Sequence, residues 1–205
     1  MSEPKIVELG VVSGPAGGKT EVIANLRKEF GTSGPVLFVP EMSTLLKDGG
    51  YPMPSVEEPW NLAWQYRFQD VIFRGQLSMD EEYRDRARRR KYERVVIVKD
   101  RTLKCGAPYF PGRLQEFCAR YSVTDEELNK REYLIFQLES LATAGPAEFA
   151  RCNRMEEIER AQDLERGTQM IWASHDRRIV LKGMVGVATK TERLIGVIQT
   201  LLVSS

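Results

Sequence analysis

The stretch KIVELGVVSGPAGGKT, residues 5–20, decides how this chain is expected to fold. Its first nine residues are mostly aliphatic and β-branched, which is the pattern of a strand buried in a parallel sheet. Glycines and a proline stop the strand at residues 14–18. Apolar residues then recur on one face of a helix: Val22, Ile23, Leu26 and Phe30. The segment therefore predicts a strand, a glycine-rich loop and a helix in direct succession.

The loop matches the pattern G-x-x-x-x-G-K-[ST] except that Ser13 stands at the first glycine. Loops of this kind cradle phosphates on backbone N–H groups, reach them with a lysine and bind Mg²⁺ through a hydroxyl, while the next helix adds its positive dipole end. Ser13 costs of order 1 kcal/mol if its position requires a positive φ. We expect ATP or GTP, with Mg²⁺, on these residues: Gly14, Pro15, Ala16, Gly17, Gly18, Lys19 and Thr20.

Strands and helices alternate along the rest of the chain. Four further apolar runs predict strands: VLFVP (36–40), RVVIVKD (94–100), EYLIFQLES (132–140) and RRIVLKG (177–183). Between them we expect a long helical region over 55–92 with a break near Ser78, and a charged helix from Asn153 to about Ala173. This alternation is typical of βαβ units. It predicts an α/β fold: one P-loop NTPase-like domain over 1–205, a three-layer sandwich with a central, mainly parallel five-stranded sheet and a helical lid at about 142–173.

Composition restricts the function classes. The formal net charge of +1 supplies no global attraction to nucleic acid or to an anionic membrane. The three cysteines show no CxxC spacing, so neither a disulfide framework nor a zinc cluster is indicated and a reducing cytoplasm is expected. No apolar run reaches the length of a membrane span. The basic run Arg84 to Lys91 could touch nucleic acid or acidic lipid, but nearby acidic residues favour a solvated helix end. The sequence leaves open whether the protein forms a homodimer.

Acidic residues follow two of the predicted strands. Glu41 comes directly after VLFVP, and Asp100 ends the next strand beside Arg101. Ligands of open α/β sheets collect at the carboxyl ends of strands. There a carboxylate can take a proton from an attacking hydroxyl or hold Mg²⁺, and an arginine can bind phosphate. The alternative for each acid is a capping role in a loop or helix.

Two arginines stand in the predicted lid. Arg151 and Arg154 are three residues apart and share a helix face, where a closing lid would bring them to the γ-phosphate. The aromatic and amide residues of the long helical region are candidates for a substrate wall, although core packing is the expectation for Trp60, Trp64 and Phe68. The wall candidates are Trp64, Tyr66, Phe68, Gln69 and Gln76. His175, the sole histidine of the sequence, is expected in a loop.

With these motifs in place, the chain resembles the AAA-like P-loop family of the NadR ribosylnicotinamide kinase domain and the TRPL translocation defect protein type. The resemblance covers nearly the whole chain and rests on four stretches: VVSGPAGGKT (11–20), FVPEMSTLLKDGG (38–50), VVIVKDRTLKCGAPY (95–109) and the segment 133–165. The Glu and Asp-Arg positions are also similar to deoxynucleoside kinases, which implies Glu41 as base and Arg101 as phosphate ligand. Cys105 departs from the pattern, because many relatives carry a second Asp there.

The leading functional hypothesis is an Mg²⁺-dependent kinase for a nucleoside-like or other small-molecule hydroxyl. Thr20 and Asp100 would hold Mg²⁺, Lys19 would contact the phosphates, and Glu41 would address the hydroxyl. Arg101, Arg151 and Arg154 would stabilise the transferring phosphoryl group. The alternative is a nucleotide-binding regulator that is non-catalytic or hydrolyses slowly and that binds a protein or acidic-lipid partner. Cys105 and the basic run favour this alternative. A nucleic-acid-dependent ATPase is disfavoured, because no second helicase-type motif is present.

Overall fold

The computed structural model of the protein describes residues 3–150 and 157–203. Within these residues five strands form one sheet in the order β2-β3-β1-β4-β5, and every neighbouring pair is parallel. The strands are β1 (Lys5–Ser13), β2 (Val36–Val39), β3 (Arg94–Asp100), β4 (Leu134–Leu138) and β5 (Arg178–Leu181). All five strands expected from the sequence are confirmed, and the sheet they form is entirely parallel.

The helices surround this sheet. They are α1 (Lys19–Phe30), α2 (Met42–Asp48), α3 (Leu62–Arg88), α4 (Arg113–Tyr121), α5 (Asp125–Lys130), α6 (Pro146–Ala150), α7 (Ile158–Ile171) and α8 (Val187–Val203), with 3-10 helices at Leu103–Tyr109 and Leu141–Thr143. Apolar residues of α1 and α8 pack on one sheet face, and those of α3, α4 and the segment ending α7 pack on the other. The predicted three-layer α/β sandwich is therefore confirmed.

The long helical region differs from its prediction. Helix α3 begins at Leu62, where the Asn61 side chain accepts a hydrogen bond from the Trp64 N–H (2.8 Å), and it continues through Ser78 without a break. The prediction of a break was wrong because polar residues of the second half were taken as solvated. The buried stripe of α3 is in fact mostly polar: Gln65, Phe68, Gln69, Gln76, Asp80 and Ala87. Core packing holds for Phe68 but not for Trp60, which is 54% exposed.

The predicted lid divides into parts with different environments. The stretch around α6 leads to residues 151–156, so Arg151 and Arg154 lie outside the described residues. Helix α7, by contrast, buries Leu164, Gly167 and Ile171. We infer that α7 belongs to the fixed body of the fold, because an element with so many buried residues opens only at a large cost.

None of the described helices combines the length and the apolar character needed to cross a bilayer.

Candidate nucleotide-binding site

The phosphate loop, residues 13–20, connects β1 to α1 and lies between the neighbouring strands β3 and β4. Its positive φ angles occur at Ala16 (61°) and Gly18 (77°), whereas Ser13 is not among the described residues with positive φ. Serine at the first loop position therefore introduces no left-handed strain, and the strain lies at Ala16 instead. The expected cost of Ser13 does not arise.

Three consecutive carbonyl groups of the loop accept hydrogen bonds from neighbouring segments. The Pro15 oxygen accepts the Ser140 hydroxyl, the Ala16 oxygen accepts the Leu141 N–H (3.2 Å), and the Gly17 oxygen accepts Lys190 Nζ (3.1 Å). The N–H groups of residues 16–18 donate to nothing within the described part of the chain. Consecutive N–H groups without partners are the arrangement found in anion-binding loops.

Close contacts with Ser13 and β4 require a glycine at residue 17 of the loop. A Cβ at Gly17 would lie 2.6 Å from Ser13 Cβ and 2.9 Å from the Leu138 carbonyl oxygen. No side chain fits between these backbone segments, so the loop can lie against β4 only with glycine at residue 17.

Four of the predicted site residues meet beside the loop. Lys19 Nζ lies 2.9 Å from Glu41 Oε2 and also pairs with Asp100, while Arg101 Nε lies 2.9 Å from Glu41 Oε1. Lys19 is 7% exposed and its three neighbours are 15–22% exposed, so the two cations and two carboxylates are largely buried. Strand register explains the meeting, because Val11 of β1 stands opposite Asp100 in β3 and the loop begins two residues later.

Glu41 occupies the N-cap position of α2, but its side chain makes no capping hydrogen bond. It accepts the Ser43 hydroxyl (2.6 Å) and binds the two cations instead. Burial raises the pKa of Glu41, yet the charges of Arg101 and Lys19 and the Ser43 hydrogen bond outweigh it and lower the pKa to about 2. Glu41 is therefore a carboxylate at all physiological pH values.

Arg101 is held by the segment that follows β3. Its backbone has a φ of 74°, its N–H donates to the Val11 oxygen (3.2 Å), and its guanidinium donates to the Tyr109 hydroxyl (3.2 Å). A non-glycine residue with positive φ persists only where surrounding contacts impose it. This conformation directs the guanidinium back toward Glu41. The sequence identified Arg101 as a site residue but did not indicate its strained backbone.

A cavity of about 300 Å³ opens next to these charges. The loop, α2, α3 and the first 3-10 helix line it, and its wall includes Gln69, Gln76, Cys105 and Tyr109. Both glutamines named as candidates for a substrate wall line this cavity. Tyr66 and Phe68 lie elsewhere: the Tyr66 hydroxyl donates to Glu116, and the Phe68 ring packs between Trp64 and Tyr51.

Cys105 forms part of the cavity wall in the first 3-10 helix. It is 7% exposed, and its Sγ lies 3.5 Å from the Thr102 hydroxyl. The cavity wall therefore includes a cysteine at this position.

The residues present fit a magnesium ion that is shared with a nucleotide. Thr20 lines the cavity next to Lys19, and the Asp100 carboxylate is adjacent. Over residues 3–150 and 157–203 no three acidic, histidine or cysteine side chains are grouped to hold a metal. Mg²⁺ typically needs only one or two protein oxygens because phosphates and water complete its shell. A hydroxyl and one carboxylate are compatible with that mode.

Comparison with known proteins establishes the fold. Three solved structures of deoxyadenosine kinase from M. mycoides match 94–95% of this chain and 99–100% of theirs. Their TM-scores are 0.53, 0.54 and 0.58 at 13%, 12% and 10% sequence identity. The chain shares the α/β fold of these three structures, with an all-parallel five-stranded sheet and flanking helices. No protein-family model and no curated protein sequence matches it, so the more specific resemblance to the NadR and TRPL type is not confirmed.

Two polar residues that support the loop were missed by sequence reasoning. Glu165 of α7 accepts the Gly14 N–H (2.9 Å), and Lys190 of α8 donates to the Gly17 oxygen. They stand 151 and 173 residues from their partners. No local motif marks them, because only the packing of α7 and α8 brings them to the loop.

Proposed function

We propose that this protein is an Mg²⁺-dependent kinase that transfers the γ-phosphate of ATP or GTP to a hydroxyl of a nucleoside-like molecule. The observation that carries the proposal is the meeting of Lys19, Glu41, Asp100 and Arg101 between a phosphate loop and a cavity. A phosphate cradle, a carboxylate and two cations at one point are the groups that phosphoryl transfer needs.

The ion pairs at the site suggest how nucleotide binding prepares Glu41. Lys19 pairs with Glu41 and Asp100, and a triphosphate in the loop would compete for its ammonium group. As Lys19 turns to the phosphates, Glu41 loses one of the charges that hold its pKa near 2. Its carboxylate then becomes a stronger base for the acceptor hydroxyl, while Arg101 stays close enough to contact the transferring group. A bound Mg²⁺ held by Thr20 and Asp100 would neutralise part of the phosphate charge.

The cavity wall favours an acceptor with a nucleobase. Gln69 and Gln76 lie two turns apart on one face of α3, and both are buried. The Gln69 carboxamide has no hydrogen-bond partner among the described residues, and it faces the cavity. Its polar atoms are accessible from the cavity, so the carboxamide can pair with a bound ligand. Nucleobases present the adjacent donors and acceptors that a carboxamide can pair with.

Gln76 is oriented by its neighbour. Its Nε2 donates to Asp80 Oδ1 (2.9 Å), and Asp80 lies 3.1 Å from the buried ammonium of Lys99. The amide nitrogen of Gln76 is used in this bond, so the amide oxygen is left for the cavity. An acceptor with a donor group at that point, such as an exocyclic amine, is therefore favoured. The similar solved structures hold dCMP with dCDP, dCTP or dATP, which supports this class.

The test is transfer of a labelled γ-phosphate. Purified protein is incubated with Mg²⁺, γ-labelled ATP or GTP and a pool of nucleosides, and label is sought in nucleoside monophosphates. We expect Lys19→Ala to lose nucleotide binding and Glu41→Gln to keep binding but lose transfer by about 10²-fold or more. Lys28→Ala, an exposed lysine on the same helix, is the matched control. The proposal fails if the wild type binds neither ATP nor GTP with Mg²⁺.

A nucleotide-binding regulator is the second candidate, favoured by the thiol of Cys105 in the cavity wall. Slow release of inorganic phosphate alone, together with nucleotide-dependent affinity for a partner, would support it. A lipid partner for the basic run is weakened by its contacts: Arg84 pairs with Glu8, Arg88 with Asp85, Arg89 with Glu82, and Arg90 donates to the Thr32 and Ser33 oxygens. A protein partner is therefore the remaining form of this alternative.

A further inference from the structure

Glu165 is a carboxylate in an unusual place. It lies in the middle of α7 with no exposed surface, and it forms no ion pair among the residues that the structure describes. Burial, with a contribution from the charge of Glu139, raises its pKa, although hydrogen bonds from Gln169 and from the backbone N–H groups of Gly14 and Ser140 oppose the rise. A buried carboxylate of this kind destabilises the fold unless its hydrogen bonds compensate, so its partners indicate why it is there.

One of those partners, Gly14, belongs to the phosphate loop. Oε2 accepts the Gly14 N–H at 2.9 Å, and Oε1 accepts Gln169 Nε2 at 3.0 Å. A Cβ at Gly14 would lie 2.5 Å from Oε2 and 3.0 Å from Glu165 Cα. The phosphate loop therefore lies directly against α7, and Gly14 satisfies its N–H there instead of turning it toward a ligand.

Helix α7 is a rigid support for this contact. Arg113 donates to Asp163 Oδ1 (2.6 Å) of α7 and to the Pro108 oxygen (2.6 Å) of the first 3-10 helix. Gly167 packs so closely on Pro108 that a Cβ would lie 2.9 Å from the Pro108 Cβ. The helix is thus fixed to the segment that lines the acceptor cavity, and through Glu165 to the phosphate loop.

We propose that Glu165 is a positioning residue for the phosphate loop. By holding the Gly14 N–H outward, it anchors the first turn of the loop, while Ser140, Leu141 and Lys190 hold the next three carbonyls. The N–H groups of residues 16–18 are thereby kept pointing at the triphosphate before it arrives. The inference rests on the nucleotide binding of the proposed function and adds a residue that does not itself touch the nucleotide.

The experiment measures affinity for the phosphate chain alone. Isothermal titration with Mg²⁺-tripolyphosphate, which has no base or sugar, compares the wild type with Glu165→Ala and Glu165→Gln. We expect the alanine variant to bind at least about tenfold more weakly, because the Gly14 N–H loses its partner. Glutamine keeps an acceptor oxygen for the Gly14 N–H, and the Gln169 carboxamide can turn so that its oxygen accepts from the new amide group. The glutamine variant should therefore bind within about threefold of the wild type. Glu159→Ala, an exposed glutamate on the same helix, should bind like the wild type.

Each outcome decides the inference. A folded Glu165→Ala protein with wild-type affinity for tripolyphosphate would overturn it, and so would glutamine binding as weakly as alanine. If the alanine variant does not fold, Gly14→Ala disturbs the same contact from the loop side, and unchanged affinity there would also overturn it. A wild type that binds no tripolyphosphate or nucleotide would instead refute the proposed function itself.

Discussion

At the residue scale, the buried Lys99 brings three carboxylate side chains together. Its ammonium group has no exposed surface and lies 2.6 Å from Glu8, 3.1 Å from Asp80 and 2.8 Å from Glu132. Arg84 forms two hydrogen bonds with Glu8 (2.5 and 2.8 Å). These charges connect β1, β3, α3 and the start of β4 on the α3 face of the sheet, next to Gln76. Buried carboxylates are tolerated here because each is close to a cation.

Glu132 is predicted to make stability depend on pH. Burial raises its pKa to about 7, with Glu8 and Asp80 adding to the rise and Lys99 opposing it. Between about pH 4.5 and 7 the folded chain keeps this proton and the unfolded chain does not, so its contribution to the free energy of unfolding falls as pH rises. The fall from this group is of order 3 kcal/mol. Urea unfolding of the wild type and of Glu132→Gln is compared from pH 5 to 8. The fall in the free energy of unfolding that comes from Glu132 should appear only in the wild type.

The exposed Glu126 of α5 offers the matched control for this experiment. Glu126→Gln should reproduce the pH profile of the wild type. Parallel profiles for the wild type and Glu132→Gln would contradict the prediction, because they would mean that Glu132 titrates alike in the folded and unfolded chains.

Helix α7 is the decisive element at the next scale, since it touches both halves of the site. Its Gly167 lies against the first 3-10 helix, and its Glu165 binds the phosphate loop. The sequence predicted a charged helix in this region but gave no sign that its glycine and one glutamate face the core. Contact between two helices at this distance needs a residue without a side chain at the crossing.

Gly167→Ala should therefore destabilise the protein. A Cβ there would lie 2.9 Å from Pro108 and from the Arg113 guanidinium, and overpacking of this kind costs about 1–3 kcal/mol. Gly196→Ala in α8 is the control, because no atom lies within 4 Å of its Cβ position and alanine should stabilise the helix by about 0.5–1 kcal/mol. Urea unfolding measures both. Equal stabilisation by the two substitutions would contradict the close contact.

At the scale of the whole molecule, strand order concentrates the charged groups. Strand β1 lies between β3 and β4, so its loop, the Asp100 end of β3 and the Ser140 segment after β4 all meet at one edge. Crevices at such points in parallel sheets are where ligands bind. Glu41 comes from β2 at the sheet border and still reaches Lys19, because β2 pairs with β3.

Nucleotide binding should stabilise the entire fold. At a free Mg²⁺-ATP concentration of a hundred times Kd, linkage adds about 2.7 kcal/mol to the free energy of unfolding. For a chain of 205 residues this corresponds to a rise in Tm of roughly 5–10 °C. Thermal unfolding monitored by fluorescence should show the shift in the wild type and not in Lys19→Ala. An equal shift in that variant, or with Mg²⁺ alone, would contradict binding at the loop.

The sequence by itself determined the strands, the phosphate loop, and the placing of Glu41, Asp100 and Arg101 at strand ends. Each of these depends on local periodicity or on a motif a few residues long, so neighbouring residues carry the information. Its errors included the break expected at Ser78 of α3, where buried polar residues looked solvated, and the core packing expected for Trp60.

Only the tertiary structure decided which polar residues support the site. The bonds of Glu165 to Gly14 and of Lys190 to Gly17 join residues 151 and 173 positions apart, and the partners of Lys99 come from three other segments. Such partners depend on which helix packs over which strand. That choice is made by the packing of the whole core, and no local pattern of residues encodes it.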